Sequence, residues 1–140
     1  MSNWCSAALA ALALASATPA YATVSLAGQW RILSINDEIG CRIDGEATLV
    51  RAEGETYSVT MHVAQSCNGE QTSASSEACT LRRKPTGMTV FCRVVESTSD
   101  GYLPDNFVLT ESGDDLLVGR LLANWNAPAE WRRGSGAPVS

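Results

Sequence analysis

The sequence predicts an all-β fold, a small antiparallel up-and-down barrel of about eight strands held by two disulfides. Apolar and polar residues alternate with a period of two through several separate runs, and clusters of Gly, Pro, Asp and Ser punctuate those runs. No stretch after the N-terminal apolar run carries a long helical period with caps, which disfavours βαβ architectures. A meander of short strands closes most economically into a barrel, because closure removes its unpaired edges.

The elements follow in chain order. Residues Ala7 to Ala15, AALAALALA, form an apolar run too short to span a bilayer. Ser16, Thr18 and the helix-breaking Pro19 follow, and Ala20-Tyr21-Ala22 fits the small-x-small pattern of a signal-peptidase site. Residues 1–22 are therefore expected to be a signal peptide, with residues 23–134 the barrel domain and residues 135–140, within GSGAPVS, a flexible tail. The expected location is periplasmic or secreted.

A first strand is expected over Leu26 to Ile35. Cys41, Ile43, Ala47 and Leu49 then share one parity against Arg42, Asp44, Glu46 and Thr48, and Tyr57, Val59, Met61 and Val63 alternate with Ser58, Thr60, His62 and Ala64. Glu53-Gly54-Glu55 is a turn candidate between them, and a hairpin closed there sets Leu49 against Val59, Ala47 against Met61 and Cys41 against Cys67. The polar, Ser-rich stretch from Asn68 to Cys79 reads as a solvated loop. Around Lys84-Pro85-Thr86-Gly87, Leu81 meets Val90 and Cys79 meets Cys92, with Met88, Val90, Cys92 and Val94 inward. Phe107 to Glu111 and Leu116 to Ala123 flank a Ser112-Gly113-Asp114-Asp115 turn, and Ala129 to Arg133 makes a short last strand.

Of the five cysteines, Cys5 leaves with the signal peptide, so Cys41, Cys67, Cys79 and Cys92 remain. An even count in an exported chain reads as disulfides. Hairpin register favours Cys41 with Cys67 and Cys79 with Cys92; Cys67 with Cys79 and Cys41 with Cys92 stays open at this point. No CxxC knuckle is present and the single histidine, His62, is remote from every cysteine in sequence, so neither a metal nor a cofactor is predicted.

The formal net charge of −5 makes nucleic acid and anionic membranes poor partners. Arg82-Arg83-Lys84 and Arg132-Arg133 read as solvated strand ends. Phosphate loops, HExxH and GxSxG are absent, and His62 falls on the polar face of its strand. Asp114-Asp115 and the Glu53/Glu55 pair lie in turns, where acidic residues serve solubility and turn geometry. Binding is therefore expected rather than catalysis. One candidate is the longest connection, STSDGYLPDN from Ser97 to Asn106, through Tyr102, Asp105 and Asn106. In the segment from Trp125 to Trp131 two tryptophans bracket a Pro, which reads as packing at a barrel end.

Leu26-Ala27-Gly28-Gln29-Trp30 resembles the G-x-W opening of lipocalin-type barrels, and more closely the AG-x-W opening of the small exported bacterial Inh-type metalloprotease inhibitors. The resemblance covers the leader and the first strand. It implies an eight-stranded barrel with Trp30 plugging one end, and it implies that Thr23, Val24 and Ser25 enter a protease cleft. The expected function is thus an exported barrel that binds a secreted protease or another periplasmic protein. Two alternatives stand beside it: a structural or envelope-associated domain, and a small-molecule carrier, which a hollow barrel would favour.

Overall fold

Period-two alternation is realised as eight antiparallel strands: β1 (Gly28–Asn36), β2 (Cys41–Glu53), β3 (Thr56–Cys67), β4 (Glu70–Lys84), β5 (Gly87–Ser97), β6 (Asn106–Glu111), β7 (Leu116–Leu122) and β8 (Asn126–Arg133). The structure, a computed structural model, describes residues 24–123 and 125–134. Expectations for the signal peptide, for Thr23 and for the 135–140 tail lie outside the described residues. Each strand pairs with the next, and β8 returns to β1 to close the barrel.

The hairpin registers agree with parity. Leu49 faces Val59, Ala47 faces Met61 and Leu81 faces Val90. Cys41 bonds Cys67 and Cys79 bonds Cys92, with Cα atoms 4.1 Å and 4.0 Å apart. Separations this short belong to non-hydrogen-bonded antiparallel pairs, which bring Cβ atoms together on one face. Closing each loop restricts the unfolded chain and contributes about 3 kcal/mol in the loop-entropy account. Two such bonds fit an oxidising compartment.

Three boundaries differ from expectation. β1 begins at Gly28 and β8 at Asn126, where pairing with β2 and with β7 sets the limit. The larger correction concerns Asn68 to Cys79. Only Asn68 and Gly69, both at positive φ, form a turn, and Glu70 to Cys79 is the first part of β4. Ser, Ala and Glu have weak strand propensity, but β3 and β5 pair with this stretch on both sides and override it.

Two inward-facing glycines let neighbouring strands approach closely. A Cβ on Gly45 would lie 2.0 Å from the His62 carbonyl oxygen, and one on Gly119 would lie 1.9 Å from that of Val108. Close backbone approach of this kind is a use of glycine within a strand.

The interior is graded along its axis. Near the end where the chain enters, Trp30, Leu49, Tyr57, Leu81, Leu109 and Leu117 are fully buried. Phe107 and Trp131 pack edge to face, with ring centroids 5.2 Å apart. Toward the opposite end, the buried positions include Ser34, Ser73, Ser75, Glu77 and Asp105. Large apolar side chains fill the first region, and polar groups that need partners occupy the second.

Candidate functional site

The entry end is organised around Trp30. Its ring is buried, its Nε1 donates to the Leu26 carbonyl at 2.8 Å, and the Arg133 guanidinium stacks over it 4.4 Å from the ring centroid. Arg133 also donates to the carbonyls of Ser25 and Ala27, each at 3.0 Å, and pairs with Asp115 at 3.1 Å. Arg83 has a side chain only 6% exposed, donates to the Val24 carbonyl at 2.8 Å and ion-pairs with Glu55 and Glu111. Burial works against its charge, but the Glu111 carboxylate, joined by Glu55 and Tyr57, outweighs this and holds the guanidinium above its ordinary value.

Tyr57 completes the cradle. Its hydroxyl accepts the Leu26 N–H at 3.2 Å and an Arg51 N–H at 2.9 Å. Burial raises the phenol, yet these donors together leave it below its usual value.

The basic pairs are therefore not solvated strand ends throughout. Arg83 shares the inward parity of Cys79 and Leu81, and Arg133 shares that of Ala129 and Trp131, so each closes the barrel mouth. Three carbonyls of residues 24–27 are fastened by Arg83 and Arg133, while Val24 and Ser25 are themselves exposed.

The strand arrangement around this cradle is shared with a designed scaffold. Among solved structures the chain is similar to a protein described as "De novo design of a fluorescence-activating beta barrel", at 15% identity and a TM-score of 0.59, over 77% of this chain and 93% of that one. At that identity the likeness concerns the fold alone. No family model and no curated protein matches the chain.

The opposite end gathers the loop residues singled out in the sequence. Tyr102 donates its hydroxyl to Asp105 Oδ2 at 2.7 Å. The Asp105 N–H donates to Glu77 Oε1, also at 2.7 Å. Asn106 Oδ1 accepts the Cys92 N–H at 2.8 Å, taking the place of a ladder bond. Asp105 and Glu77 are each only 1% exposed. Burial raises the Glu77 carboxyl to about 9, and the neighbouring Asp105 adds to the shift. Asp105 is raised as well, chiefly by burial, and the same cause pushes the Tyr102 hydroxyl up.

Glu77 escapes the sequence reading because it lies in the stretch that reads as a loop. Its signal is parity: counting back from Leu81 and Cys79 places Glu77, Ser75 and Ser73 on the inward face. Ser75 and Ser97 join there through a 2.8 Å hydroxyl contact.

His62 keeps the outward position expected of it, but it has a partner. Its Nδ1 lies 2.9 Å from Ser76 Oγ, in a shallow outer groove of about 520 Å³ that Glu46 and Glu96 also line. β3 and β4 pair with each other through these positions, so the contact is a cross-strand surface hydrogen bond. Trp125 packs against the core as expected of a barrel-end residue, and Trp131 lies wholly within it.

Proposed function

We propose that this chain is an exported binding barrel that engages a partner protein through the segment leading into β1, and that the partner is a secreted protease. The observation that carries the proposal is the fastening of residues 24–27. Arg83 and Arg133 hold the carbonyls of Val24, Ser25 and Ala27 while Val24 and Ser25 are themselves exposed. A segment anchored by its backbone on a closed, disulfide-linked barrel loses little conformational entropy on docking, so more of its contact energy remains as affinity.

The filling of the entry end supports the same reading over a small-molecule carrier. Trp30, Tyr57, Leu81 and Leu117 occupy the space in which a carrier would hold its ligand. The Ala27-Gly28-Gln29-Trp30 opening, with its likeness to Inh-type inhibitors, points to a metalloprotease cleft as the surface engaged. Occupying a cleft needs no catalytic group on this chain, and the periplasm or the extracellular space is where such a protease would be met.

The test compares the chain from Thr23 onward with one lacking Thr23 to Ser25, against secreted metalloproteases of the same host. Inhibition by the longer form, reduced at least about tenfold in the shorter one while far-UV circular dichroism is unchanged, is the expected outcome; tenfold corresponds to about 1.4 kcal/mol of contact energy. Equal inhibition by both forms would move the contact elsewhere, and inhibition by neither would remove the protease reading.

A further inference from the structure

At the end opposite Trp30 the barrel wall is incomplete. β5 runs to Ser97, yet it pairs with β6 only over Met88 to Val90, against Phe107 to Leu109. Above Val90, the segment from Thr98 to Asp105 runs between the two strands, and its last residues are held by side chains instead of a ladder. Asn106 Oδ1 takes the Cys92 N–H, and Glu77 reaches from β4 to take the Asp105 N–H. Tyr102 caps the arrangement by donating to Asp105.

The chemistry of this junction requires a proton. Glu77 and Asp105 are both buried, and the Asp105 N–H donates to Glu77 Oε1. Glu77 Oε2 is buried without a hydrogen-bond partner. A buried carboxylate oxygen with no donor and no cation beside it is costly, whereas a neutral carboxylic acid is tolerated. The donors supplied by the rest of the junction select the proton's place. Asp105 receives the Tyr102 hydroxyl, which stabilises its anion, so Glu77 carries the proton.

We propose that Glu77, Asp105 and Tyr102 form a proton-dependent latch that holds the 98–105 segment against the barrel where β5 and β6 cease to pair. With the proton in place, the junction contains a single negative charge, on Asp105, which accepts the Tyr102 hydroxyl. Without it, two anions face each other in a region screened from water, and opening the segment to hydrate them becomes the favourable response.

Other groups do not compensate that second charge. On β4 the neighbours of Glu77 on the inward face are Ser75 and the disulfide-bonded Cys79; across from it stand Met61 on β3 and Val94 on β5. The charged and titratable groups acting on it come from the 98–105 segment, namely Asp105 and Tyr102. His62 and Ser76 lie on the outward face of the same wall.

The direction of the pH effect follows from linkage. The closed form holds a proton on Glu77 up to about 9, whereas an opened, hydrated Glu77 would lose it near its ordinary value of 4.5. Between those limits the closed form binds the extra proton, so closure weakens as pH rises and the dependence levels off above about 9.

Hydrogen exchange tests this directly through the Asp105 amide, which is donated to Glu77. Its protection factor, already corrected for intrinsic base catalysis, should fall by up to about tenfold per pH unit between pH 6 and 8.5, while amides of the β2–β3 hairpin stay constant. In Glu77→Gln the side chain is neutral at every pH and its oxygen can still accept the Asp105 N–H, so protection should persist and become independent of pH. Equal pH dependence in both proteins, or independence in both, overturns the proposal. If Glu77→Gln does not fold, the Glu77 side-chain carboxyl followed by ¹³C NMR in the native protein decides. Titration near 9 together with loss of Asp105 protection supports the latch, and titration in the ordinary carboxylate range ends it.

Discussion

Replacing Trp30 with alanine is expected to lower unfolding free energy by about 4 kcal/mol, the middle of the range for deleting a buried tryptophan. Three consequences combine in that figure. The ring is fully buried at the entry end, so its removal leaves a cavity among Leu26 and its neighbours. The Leu26 carbonyl loses the indole N–H that satisfies it, and a buried acceptor without a partner is costly. Arg133 also loses the surface on which its guanidinium stacks, and with it the geometry that holds Ser25 and Ala27. Urea unfolding with both disulfides intact measures the effect. Trp30→Phe should recover much of the packing but not the hydrogen bond to Leu26. A loss below about 1 kcal/mol for Trp30→Ala would mean that Trp30 does not close the barrel.

Gly45→Val should have a comparable effect for a different reason. The new Cβ would meet backbone on the facing strand, the His62 carbonyl oxygen at 2.0 Å and the Val63 Cα at 2.8 Å, so no side-chain rotation relieves the clash. β2 and β3 would have to separate at Gly45, which pairs with Val63, at a cost of about 3 kcal/mol or more. Gly54→Asn supplies the control. Gly54 sits at φ 54° in the β2–β3 turn, a Cβ added there would meet nothing within 4 Å, and Asn tolerates that backbone, so its effect should stay within about 0.5 kcal/mol. Chemical denaturation of the two variants side by side separates a close-approach glycine from a turn glycine. Similar midpoints for both would show that the close approach of β3 at Gly45 does not exclude a side chain there.

The same contrast between local and distant causes explains what could be read from the sequence. Parity and turn residues are local, so the Cys41–Cys67 and Cys79–Cys92 registers are visible without coordinates. The strand from Glu70 onward is hidden because its residues are poor strand formers, and β3 and β5 on either side supply the pairing. Its inward parity is nonetheless available from Cys79 and Leu81, and following it back finds Glu77. Asp105 stands out as a polar loop residue, but its partner lies 28 positions away on β4, on the far side of β5. Arg83 and Arg133 read as solvated ends because arginines at strand termini usually are. Both instead lie on the inward parity at a mouth where the arriving N-terminal carbonyls need donors.

The register of the β2–β3 and β4–β5 hairpins decides which residues of those four strands face inward, Arg83 and Glu77 among them. Peptide mapping under non-reducing conditions reads that register from the covalent bonds. Two linked pairs are expected, Cys41 with Cys67 and Cys79 with Cys92. In this barrel Cys67 stands opposite Glu70, and Cys79 stands opposite Val59, so Cys67 and Cys79 cannot meet. Recovery of a Cys67–Cys79 peptide from the folded protein would contradict the register and the site assignments built on it.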